Sequence, residues 1–152
     1  MISTIQSLLK KHLPSNPDAG QDAEHALQVA TAALLMEVAA ADADISVAEY
    51  EQIKRIVEEI YAVSPNEARE ICRVAEQQAD HVTSLFPFTR LITSECSLED
   101  RIEIVHRLWE ITFLDGKVHA HEEHLVRKVA DLLYVPHSQF IRGKIRQQED
   151  IG

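Results

Sequence analysis

The chain has 152 residues, and at roughly 150 residues per domain it has room for one domain. Apolar residues make up 45% and charged residues 26%, which excludes a disordered chain. A domain this size buries roughly 68–70% of its unfolded surface, so it needs neither disulfides nor metal in order to fold. Acids outnumber bases 25 to 15, for a formal charge of −10, so nucleic acid and an anionic membrane surface are excluded as partners; cations and basic partner segments suit it.

The first helical segment is Ser3 to Leu13, which is amphipathic and carries no signal-peptide core, and it closes in the polar loop from Pro14 to Gly20. The second runs from about Gln21 to Ala41 and is apolar on nearly every face in its second half, as expected of a helix in the middle of a bundle. Its apolar stretch, Val29 to Ala41, is shorter than the ~18 residues of a membrane span. Ser46-Val-Ala-Glu49 is a capping box that opens the third helix, which continues with Ile53, Ile56, Val57 and Ile60.

Ser64-Pro-Asn-Glu67 opens the fourth helix in the same way, with Pro at the first helical position. Phe86-Pro87-Phe88 leads a short helix to about Cys96, and Ser97 starts a long one carrying Val105, Leu108, Trp109 and Phe113. Another runs from about Ala120 to Tyr134, and Ser138 to Gln148 would add a frayed terminal one. No segment alternates long enough to be a strand. The expected fold is all-α, a single compact bundle of about seven helices over residues 1–152. Its core spans about 21–141, preceded by an N-terminal helix and loop over 1–20. Cys72 and Cys96 have no short spacing, which fits reduced thiols packed as small core residues in a soluble, cytoplasmic protein.

A shift of 73 residues lays one half of the chain on the other, matching Glu37 with Glu110, Asp42 with Asp115, Glu49 with Glu122 and Tyr61 with Tyr134. Two pseudo-symmetric helix–loop–helix repeats are the economical reading. Glu37 and Glu110 lie in apolar helices, where a carboxylate must be paired or protonated. The recurring basic pairs Lys54-Arg55 and Arg127-Lys128 are expected to supply internal salt bridges.

The paired units Ala39-Ala-Ala-Asp42-Ala-Asp44-Ile-Ser-Val-Ala-Glu49 and Phe113-Leu-Asp115-Gly116-Lys-Val-His119-Ala-His121-Glu122-Glu123 resemble the paired motif of TerB-like proteins, a family named for tellurite resistance. The resemblance covers roughly residues 27–141. The second unit has the more typical Asp-Gly, while Ala43 stands where the family often has Gly. It implies an all-helical acidic fold and a stress-response context rather than a reaction.

In both units seven residues separate an Asp that ends one helix from a Glu in the first turn of the next. A sharp reversal would bring those carboxylates together around a hard cation, with Asp44 and backbone carbonyls completing an oxygen site. The loop is not an EF-hand, which needs twelve residues and a glycine at the sixth. His119 and His121 beside Glu122 would suit zinc or another first-row metal. The candidate ligands for a divalent metal ion are therefore Asp42, Asp44, Glu49, Asp115, His119, His121 and Glu122. Against this stands ordinary helix chemistry: the Ser46 box accounts for Glu49, and Asp-Gly is a common turn.

The reading is a non-enzymatic stress-response module that binds divalent cations at its acidic loops and docks protein partners, with a homo-oligomer among the options and no direct membrane insertion. One alternative is a purely protein-binding adaptor without metal. A small metallo-hydrolase built on the His119–His124 run is less favoured. Tellurite is an anion, so so acidic a surface is a poor direct binder of it.

Overall fold

The structure, a computed structural model, describes residues 19–41, 44–80, 84–114 and 120–151. Seven α-helices and no strands occur among these residues: α1 (Ala19–Ala39), α2 (Val47–Tyr61), α3 (Pro65–Ala79), α4 (Phe86–Glu95), α5 (Leu98–Thr112), α6 (Ala120–Leu132) and α7 (His137–Ile151). The all-α expectation holds, and all seven begin within two residues of their sequence signals. The helix expected over Ser3–Leu13 lies outside the described residues.

Serines set the entry of three helices. Ser46 accepts from the Glu49 N–H at 3.1 Å, and the Glu49 carboxylate accepts from the Ser46 N–H at 2.9 Å, closing the box. Ser64 accepts from the Glu67 N–H, but the Glu67 carboxylate takes the Ser64 hydroxyl proton instead of the backbone one, so only half of that box forms. Ser97 accepts from the Asp100 N–H at the start of α5.

Packing centres on α1. From Leu27 to Ala39 every side chain is buried except Glu37, which is half-buried, and α1 touches α2, α3, α4, α5 and α6. Its alanines, Ala30, Ala32 and Ala33 among them, let neighbours approach on several sides at once. The one hydroxyl in this stretch, on Thr31, donates to the Leu27 carbonyl at 3.0 Å and lies 2.5 Å from the Tyr61 hydroxyl. That contact ties α1 to the end of α2.

The terminal helix is the clearest departure from expectation. Instead of a frayed addition, α7 is a 15-residue helix seated along α5. Trp109, fully buried, donates its indole N–H to the Phe140 carbonyl at 2.9 Å, and the two rings lie 5.0 Å apart. Gly143 permits the close approach: a Cβ there would stand 2.7 Å from both Trp109 Cδ1 and His106 Cδ2. The period of α7 alone does not reveal this, because the anchor is on another helix.

Residues matched by the 73-residue shift sit in different surroundings. Tyr61 is partly buried with its hydroxyl engaged, while Tyr134 is 74% exposed and adopts a left-handed φ of 55°.

Gly143→Ala should destabilise the fold by about 1–3 kcal/mol, because the buried Trp109 ring cannot retreat without losing its hydrogen bond. Urea denaturation measures this; a change within about 0.5 kcal/mol would mean that α7 moves away at little cost.

Candidate functional site

The α1–α2 junction turns two acidic helix ends toward the end of α3. A cleft of about 340 Å³ opens there, lined by Glu37 and Met36 of α1, Asp44 and Tyr50 at the start of α2, and Glu76 and Asp80 at the end of α3. Among the described residues lining it are four carboxylates and no Lys, Arg or His. Burial, and after it the nearby Asp80 carboxylate, push the Glu37 carboxyl above its usual range. Burial likewise raises the Tyr50 phenol, with Cys72, Glu76 and Glu51 adding to it and Arg69 opposing.

Of the sequence-predicted ligands, Asp44 is exposed at this cleft. Glu49 is held by its capping hydrogen bond to Ser46 and does not line it. Asp42, Asp115 and His119 lie outside the described residues. On α6, His121 is exposed while Glu122 next to it is only 6% exposed, so the two neighbours point to different environments. Among the described residues no three His, Cys, Asp or Glu side chains converge as a metal-ligand set.

Sequence reasoning missed Glu76 and Asp80. A signal was present, since both stand at a helix C-terminus, where the macrodipole disfavours acids. It also passed over Glu95, only 1% exposed at the end of α4.

The salt bridges expected for the paired acids are corrected by the structure. Lys54 pairs with Glu51 at 2.7 Å and lies over the Tyr50 ring, and Arg55 donates to Gln52. Glu110 is bound by Arg107 from its own helix, at 3.1 Å, and by Gln52 of α2 at 3.2 Å. Arg127 and Lys128 are exposed. Side chains one turn away reach a half-buried acid more readily than a matched basic pair on the next helix. Arg107 also meets Glu103 at 2.9 Å and Glu59 at 3.4 Å. Partial burial works against its charge, but Glu110, Glu103 and Glu59 more than offset that and raise its pKa further.

Both cysteines are poor nucleophiles. Burial pushes the Cys72 thiol up to about 12 and the Cys96 thiol up to about 11, so neither is a thiolate at neutral pH.

The profile of the family described as Tellurite resistance protein TerB matches residues 28–145, from the middle of α1 well into α7. The chain belongs to the TerB family. No curated protein and no solved structure matches it. The TerB match takes in both helix junctions, the acidic cleft and the α5–α7 anchor.

Two outcomes follow for this TerB-family chain. Because Glu37 titrates above its unfolded value, the folded state holds that proton more tightly. The stability this brings is complete below the ordinary carboxylate pKa and is lost as pH rises through the raised one. Glu37→Gln should therefore flatten the fall in the urea midpoint between pH 4 and 8 and raise it at pH 7; an unchanged profile would exclude a Glu37 carboxyl raised by burial and by Asp80. Glu49→Gln keeps an acceptor for the Ser46 N–H and should shift stability by less than about 0.5 kcal/mol, whereas Ser46→Ala should cost about 1 kcal/mol.

Proposed function

We propose that this protein is a non-enzymatic module of the tellurite-resistance family that takes up a divalent cation at its acidic helix junctions and docks protein partners on its helical surface. The observation that carries the reading is the cleft at the first junction, which four carboxylates line with no base beside them and where burial and Asp80 hold the Glu37 carboxyl above its usual range. A hard cation there would replace mutual repulsion by attraction, and carboxylate oxygens are the ligands such ions take. The described acids line the cleft without converging on a point, so the ion would keep part of its hydration shell, as magnesium characteristically does. Asp42 of the adjoining loop is the acid best placed by sequence to join Asp44 and the other three. Asp115 and His119, with either His121 or Glu122, would serve a second site at the matching junction.

Support for a non-enzymatic role comes from the chemistry of the groups. The thiols are neutral at pH 7, and Glu110 is neutralised by Arg107.

Thermal unfolding of chelator-stripped protein, titrated with calcium, magnesium, manganese and zinc in turn, tests the cation. An ion that binds only the folded state should add about 2.7 kcal/mol at 100 times its dissociation constant. The shift should vanish in Glu37→Gln with Asp80→Asn if the first junction is the site, and in Asp115→Asn with Glu122→Gln if the second is. No shift with any ion would leave a protein-binding adaptor, whose partner capture chelators leave unchanged.

A further inference from the structure

A second cavity, of about 410 Å³, lies at the other end of the α1–α2 pair, where both helices meet the start of α5. Ile60 and the ring of Tyr61, both partly buried, form an apolar floor, with Leu27 and Ile104 buried beneath it. The Tyr61 hydroxyl is already engaged by Thr31 and the Leu27 carbonyl. Acids stand around this floor: Glu24, Glu59, Asp100 and Glu103, all exposed. One base, Arg107, lines the cavity with them, and its guanidinium already meets Glu59, Glu103 and Glu110. The last turn of α2 adds to the field, since it carries Glu58 and Glu59 and no base at the negative end of the helix dipole.

An apolar floor ringed by carboxylates matches one kind of ligand best. We propose that this groove docks a basic amphipathic helix of a partner protein, with its apolar face on Ile60 and the ring of Tyr61 and its Lys or Arg residues against Glu24, Asp100 and the neighbouring acids. Helix-in-groove docking uses anchors at i, i+3, i+4 and i+7, and a groove between helices presents ridges at that spacing. No exposed strand edge occurs among the described residues, so an extended peptide would find no ladder to join. A small anionic ligand would be repelled by the same rim. The proposal goes beyond the cation reading and does not depend on it.

The test is fluorescence anisotropy with the full chain and a labelled synthetic Leu/Lys peptide that is amphipathic as a helix, in chelator so that cation binding plays no part. The expected result is saturable binding, with a scrambled peptide of identical composition about tenfold weaker and a Leu/Glu peptide unbound. Glu24→Gln and Asp100→Asn should each weaken binding about two- to fivefold at low salt and less at high salt. Ile60→Ser should weaken it at both, and Glu149→Gln on α7 should leave it unchanged. Equal binding of the scrambled peptide, or equal loss from Glu149→Gln, would each overturn the proposal. So would self-association of the chain that Ile60→Ser abolishes, which would assign the groove to a second copy.

Discussion

A helix with almost no polar face must be enclosed on all sides, and the rest of the structure follows from that requirement. Between Leu27 and Ala39 only Glu37 reaches solvent, so five other helices are needed to cover α1. The alanines of α1 allow so many neighbours to come close, because a bulky residue at those positions would hold the covering helices apart. A buried Thr31 is tolerated since its hydroxyl has partners in the Leu27 carbonyl and Tyr61. Polar interactions are then concentrated on the outer contacts. Arg107 and Gln52 join α2 to α5, and Lys144 with Glu123 joins α6 to α7.

Local chemistry made most of the fold readable. A serine before a helix, with an acid three residues on, marks a start because the side chain must satisfy orphan N–H groups, and the starts at Ser46, Ser64 and Ser97 are where that chemistry puts them. The run of apolar residues in α1 identified the buried helix for an equally local reason. The seating of α7 could not be read in this way, because Gly143 and Phe140 have meaning only against Trp109, over thirty residues earlier. The ion pairs failed for the same reason. Several bases were available to Glu110, and its half-buried position on α5 favoured Arg107, one turn away.

The candidate site was legible only in part. Sequence spacing drew attention to the α1–α2 junction and to Asp44, but the acids that meet it, Glu76 and Asp80, come from α3 and belong to neither repeat. The repeat pattern also treats Glu37 and Glu110 as equivalent. In the fold Glu110 is neutralised by an arginine, while Glu37 faces Asp80, so the same residue type has opposite electrostatic character in the two halves. A matched sequence position specifies a backbone location. The charge environment is set by whatever third helix arrives there.

The α1–α2 pair has a mechanical consequence. The acidic cleft holds the end of α1 and the start of α2; the groove holds the early turns of α1 and the end of α2. At about 1.5 Å of rise per residue, the nine residues from Leu27 to Met36 place the two some 14 Å apart along one rigid rod. Close-packed interiors transmit displacement instead of absorbing it, so a change in the separation of these helices at one end acts as a lever at the other. Occupancy of either end that altered this separation would change the free energy of filling its counterpart, and the influence would run equally in both directions.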